Sequence, residues 1–161
     1  MSFYKVITGA MRSGAPALRL AKAGALYFAI VFGAGFVLGP LRVLLLEPRL
    51  GSVWAVLAEV PILIAVMIWA ASFVQRLIPV PDDPKSLLAM GVGALALQQI
   101  ADWAVGLWLR EMPAAEILAN YATTAGFVYL GALAVFALMP AIVRRFEHTV
   151  PAKTRQPARP Q

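Results

Sequence analysis

The chain has 161 residues, 61% of them apolar and only 14% charged, with a mean hydropathy of +0.77. A soluble domain is about 45–50% apolar, so this composition excludes an ordinary water-soluble core and points to a membrane protein. The net charge of +6 would fit nucleic acid in a soluble chain; here the basic residues flank apolar runs, where they meet anionic headgroups, so the expected partner is the lipid bilayer and not nucleic acid.

In chain order, residues 1–22 mix Phe3, Tyr4, Val6, Ile7 and Met11 with Lys5, Arg12, Arg19 and Lys22. This is the composition of a basic segment lying on the inner leaflet, although Gly9, Gly14 and Pro16 argue against one continuous helix. The apolar run that follows passes Gly33, Ala34 and Gly35, as a signal peptide would, but continues to Leu46 and is too long for a cleaved region. It is read as the first of four spans, at about 23–46, 52–75, 86–109 and 121–143. Each is long enough to cross about 30 Å of hydrocarbon as a helix. Helices are expected because unpaired backbone groups are intolerable in lipid and no alternating barrel pattern is present.

The boundaries carry start and stop chemistry. Glu47-Pro48 is expected to end the first helix, since a residue before proline is pushed out of the helical region. Gly51 and Ser52 turn the chain, with Ser52 as a cap. Asp83-Pro84 reads as an N-cap followed by proline at the first helical position, and Pro113 as the start of a short interfacial helix. Residues 149–161, rich in proline and basic side chains, are expected to be a disordered tail, which leaves 23–148 as the transmembrane domain.

Eleven Lys and Arg residues fall on the side of the two chain ends and the middle loop, and three, Arg42, Arg49 and Arg110, on the other. The fold expected is therefore an all-α four-transmembrane-helix bundle with cytoplasmic N and C termini. Trp54, Trp103, Trp108 and Tyr121 then lie towards the outer interface.

Ionisable residues inside spans default to functional hypotheses, and there are three: Arg42, Glu59 and Asp102. Counting helical rise from the loops puts all three in one layer of the outer half, with Tyr129 of the fourth span at a similar level. Gly35, Gly39 and Arg42 share one side of the first helix, and Gly91, Gln98, Asp102 and Gly106 one side of the third, so small residues are expected where helices approach. Pro40 and Pro61 mark kinks; Pro61 leaves the carbonyl of Leu57 without its helical donor.

Two readings of the layer follow. In one, Arg42 and Glu59 pin the hairpin, and Asp102 is satisfied by Gln98, Gln99 or Arg42. In the other, one cation facing two carboxylates leaves one acid able to carry a proton, as proton-coupled transport requires.

With no cysteine, no histidine within a span and no nucleophile–base pair, neither a metal centre, a bound cofactor nor catalysis is expected. Asp82 and Asp83 read as a loop charge and a cap, not a metal pair.

The run Gly39-Pro40-Leu41-Arg42-Val43, then Glu47-Pro48-Arg49-Leu50-Gly51 and Glu59-Val60-Pro61, resembles a pattern in small four-helix proteins of bacterial inner membranes, a family that brings no known activity with it. The resemblance covers about a third of the chain. It implies an inner-membrane location and marks Arg42, Arg49, Glu59 and Pro61 as distinctive positions. Small multidrug resistance transporters also have four spans and a membrane glutamate, but they are shorter and carry that glutamate in the first span. The function expected is a structural or accessory one, alone as a homo-oligomer or with a membrane-protein partner; the alternative is a proton-linked small-molecule transporter or a ligand-binding channel using Glu59 and Asp102.

Overall fold

The computed structural model describes residues 16–149, and among them every regular element is helical. Helix α1 (Pro16–Leu41) passes through a π-helical turn at Arg42–Leu46 into α2 (Glu47–Leu77). Helix α3 (Pro84–Ala104) ends in a second π-helical turn at Val105–Leu109, and a short α4 (Ala114–Tyr121) leads into α5 (Thr124–Thr149). Residues 16–22 belong to α1, so the expected basic segment contributes the first turns of a helix; the rest of it, and the tail beyond 149, lie outside the described residues.

Three helical stretches are long and apolar enough to cross a membrane: Pro16–Leu77, Pro84–Leu109 and Thr124–Glu147. The first is 62 residues long but is not one rod. Gly51, at φ 77°, ψ 163°, has a left-handed backbone that glycine alone adopts without strain. There the chain doubles back, so that Arg42 of one arm meets Glu59 of the other and Gly35 faces Leu63.

The turn thus lies at Gly51, as expected, but Glu47-Pro48 does not end the first helix. Pro48 sits in the first turn of α2, where its missing N–H removes no bond. The ladder interrupted by Pro40 resumes with π-helical spacing two residues later.

Four arms result: α1, residues 52–77 of α2, α3 and α5. Helix α1 packs on α2 and α3, and α5 packs on the same two, giving the order α1, α2, α5, α3 around the bundle. Asp83 caps α3 by accepting from the Ser86 amide at 2.9 Å, which holds its carboxyl below the usual carboxylate range. The expected short helix after Pro113 is α4.

The buried core is concentrated at the end bearing the start of α1, the α2–α3 loop and the end of α5, called here the terminal end. Ala23, Tyr27, Met67, Ala70, Ala71, Val74, Met90, Ala94 and Phe136 are all nearly inaccessible. Alanine and glycine at the crossings let the backbones meet: a Cβ on Gly24 would lie 3.0 Å from the Met90 carbonyl oxygen, and one on Gly91 only 1.8 Å from that of Ala137. The opposite, hairpin end is dominated by exposed apolar side chains, among them Leu44, Trp54 and Trp108, exposed by 73%, 68% and 82%. Apolar surface of this kind is unfavourable in water, at about 25 cal/mol per Å², and is compatible with hydrocarbon or another apolar surface.

Candidate functional site

The ionisable residues singled out in the sequence do not form one layer. They form two clusters on different helix pairs. The first spans the α1–α2 hairpin, where Arg42 Nε lies 2.9 Å from Glu59 Oε2. That contact is ionic and not an aligned hydrogen bond, because the guanidinium turns its Nη1 towards Glu47 and donates to Oε1 there. The π-helical turn brings Glu47 and Arg42, five residues apart, to the same side: with i→i+5 spacing, such residues stack one above the other. Arg42 therefore faces two carboxylates, but they are Glu47 and Glu59, and Asp102 is not one of them.

The second cluster joins α3 to the α4–α5 unit. Asp102 Oδ1 accepts from Gln98 Nε2 at 2.9 Å, one helical turn back, and Oδ2 accepts from the Tyr129 hydroxyl of α5. Gln99 does not reach Asp102; its Nε2 lies 3.4 Å from the Tyr121 hydroxyl. The Tyr121 and Tyr129 rings pack with centroids 6.2 Å apart. Of the three expected sources of satisfaction for Asp102, Gln98 supplies a bond, and Gln99 and Arg42 do not.

The register explains why. Gly24 of α1 abuts Met90 and Ala94 of α3; Arg42 is eighteen residues beyond that crossing and Asp102 about ten. At 1.5 Å per residue Asp102 lies about 12 Å nearer the terminal end. Counting inward from the loops misjudged this because the α1–α2 hairpin extends past the ends of α3 and α5.

Small residues also divide. Gly91 and Gly106 lie at contacts, the latter 2.8 Å from Ile117 Cδ1 were it to carry a Cβ. Gly39, expected at an interface, has open space around it, and Gly35 meets only the Leu63 side chain at 4.0 Å. Arg42 and the Gly35/Gly39 pair share one side of the first arm by spacing, yet of the two glycines only Gly35 meets α2, through Leu63, and nothing stands within 4 Å of a Cβ on Gly39. Pro61 lies within α2, which continues through it.

A third polar set carries no charge and does not stand out in the sequence. Tyr27 of α1 reaches across the bundle, stacks on Phe136 at 4.7 Å and donates its hydroxyl to the Phe136 carbonyl at 3.0 Å. Pro140, four residues later, cannot supply that carbonyl's helical donor, so Tyr27 replaces it. Gln75 of α2 donates Nε2 to the Pro140 carbonyl at 2.9 Å. The signal available in the sequence was Pro140 itself, by the reasoning applied to Pro61. Tyr27→Phe is expected to destabilise the protein by about 1–3 kcal/mol, because it orphans a buried carbonyl; denaturant unfolding in mixed micelles, with Phe28→Leu as a packing control, measures it.

Salt bridges close the terminal end: Arg144 Nε to Asp82 Oδ1 at 2.6 Å and Arg76 Nη2 to Glu147 Oε1 at 3.4 Å, tying the α2–α3 loop and α2 to α5. Among the described residues no group of three potential metal ligands converges. Searches against protein-family models, curated proteins and solved structures found no match to this chain.

Proposed function

We propose that the chain is a four-span protein of the bacterial inner membrane, with Pro16 and Thr149 at the cytoplasmic face, that acts as a non-enzymatic accessory or assembly subunit. The observation that carries this reading is the engagement of Arg42 by Glu47 and Glu59 within one hairpin: the intramembrane cation is consumed by architecture. Support for the topology comes from the eleven-to-three basic bias and from the fold-back at Gly51, which turns a 62-residue helical stretch into two arms of spanning length. Support for an accessory role comes from the apolar hairpin end, where Leu44, Trp54 and Trp108 offer a surface to lipid or to a partner.

The topology is tested by single cysteines at Arg49 and Lys85 in intact cells. An impermeant maleimide is expected to label Arg49→Cys and spare Lys85→Cys; labelling of both from outside would end the four-span reading. Purification in mild detergent is expected to recover a stoichiometric partner or a defined homo-oligomer, and a clean monomer would count against the accessory role.

Proton-linked transport is the second reading. It is favoured by one observation, that Asp102 has no cationic partner among the described residues. A pH-jump flux assay comparing wild type, Glu59→Gln and Asp102→Asn in proteoliposomes separates it: equal flux in all three removes transport.

A further inference from the structure

Asp102 differs from every other carboxylate placed within a span. Glu59 faces a guanidinium, whereas Asp102 is held only by the neutral donors Gln98 and Tyr129. A carboxylate in hydrocarbon with no countercharge is expensive, and the structure offers little relief. Helix α1 presents only Tyr27 as a titratable group between Lys22 and Arg42, and it is committed to the Phe136 carbonyl. Helix α2 has none between Glu59 and Arg76, α5 none but Tyr129 before Arg144, and α4 contributes Tyr121 and the exposed Glu116.

The missing positive charge must come from elsewhere. Both carboxylate oxygens are already engaged, by Gln98 and Tyr129, and among the described residues no further Asp, Glu, His or Cys joins Asp102 in a metal-ligand set. A proton is the one cation that needs no cavity. We infer that Asp102, framed by Gln98 and Tyr129, is a proton-binding site reached from the hairpin end of the bundle.

The two partners suit this role. Tyr129 donates to Oδ2 whether the acid is neutral or ionised. Gln98 serves both states, because a side-chain amide carries a donor and an acceptor: it donates Nε2 to the ionised Oδ1, and, turned about, accepts with Oε1 from Oδ1–H. One proton is gained or lost at Oδ1 and no other bond changes.

Access has a direction. Towards the terminal end the way is closed by Tyr27, Ala94 and Phe136, none more than 1% exposed, and by the Gly91–Ala137 crossing. Towards the hairpin end Tyr129 packs beside Tyr121, from which the exposed Asn120 and Thr123 continue a polar edge.

Infrared spectroscopy of the full chain in proteoliposomes at neutral pH tests the site. Exposed carboxyls are ionised there, so a protonated-carboxyl stretch reports a sequestered acid. The band is expected in wild type and Glu59→Gln and to vanish in Asp102→Asn. Its absence from wild type, or persistence in Asp102→Asn, overturns the inference. If Asp102→Asn loses its helical circular dichroism, Tyr129→Phe decides: removal of the phenol must move the band to higher frequency, and an unmoved band is equally fatal.

The direction of access rests on the proposed topology and is read separately. An alkaline jump with impermeant buffer should erase the band in right-side-out vesicles and leave it in inside-out ones. Maleimide labelling of Arg49→Cys in the same vesicles reports orientation, so a wrong topology and a wrong access route give different results; with orientation verified, the reverse response overturns access from the hairpin end.

Discussion

Gly91→Ala is expected to destabilise the bundle by about 3 kcal/mol, the upper end for overpacking, while Gly93→Ala, two residues away on the same helix, stabilises it by up to about 1 kcal/mol. A Cβ at position 91 would stand 1.8 Å from the Ala137 carbonyl oxygen, 2.8 Å from its carbonyl carbon and 3.3 Å from its Cα. All three are backbone atoms, so no rotamer change makes room; α3 and α5 must separate. That separation would loosen the Met90 and Phe136 packing around the crossing. At Gly93 nothing lies within 4 Å, and alanine there only lowers the backbone entropy lost on helix formation. Unfolding midpoints in mixed micelles read both variants; equal behaviour of the two would show that α3 and α5 do not cross at Gly91.

Arg42→Met should cost about 3 kcal/mol, the low end for removing one partner of a buried pair, because the Arg42 and Glu59 side chains retain 22% and 12% exposure. The loss comes mainly from Glu59, left largely buried without a countercharge; Glu47, 29% exposed, can turn outwards. Combining Arg42→Met with Glu59→Leu is therefore expected to recover at least half of the loss, since replacing both partners by apolar groups removes the desolvation penalty as well as the attraction. A double-mutant cycle supplies the coupling. Additive effects would show that the hairpin is not pinned by this pair.

These outcomes depend on features unequally legible in the sequence. Apolar run lengths located the long helices, because helix length in a bilayer is set by its thickness. The Asp83-Pro84 start and the helix after Pro113 were readable from local chemistry, since a cap needs only residues within one turn. The Arg42–Glu59 pair was readable because a short turn forces its two arms side by side. So was the turn at Gly51, where glycine alone adopts the positive φ freely; that the first helix runs on past Glu47-Pro48 to reach it was not. Glu47-Pro48 carries a strong local signal to stop, and the π-helical turn that takes the chain past it, with Arg42 and Glu47 paired across it, leaves no mark in local propensity.

By itself, then, the sequence determined an all-helical, lipid-compatible chain, the approximate limits of its arms and the adjacency of the first two. These follow from hydropathy and from interactions spanning a few residues. Tertiary structure alone decided which helices are neighbours and how far each slides along the next. The slide is fixed where backbones can touch, at Gly24 against Met90 and Gly91 against Ala137, and where Tyr27 meets the carbonyl that Pro140 leaves free. It sets Asp102 about 12 Å from the level of Arg42 along the bundle axis. One expected charge layer becomes an ion-paired hairpin and a separate acid with neutral partners, because a glycine in a helix shows no sign, in sequence, of which backbone it will meet.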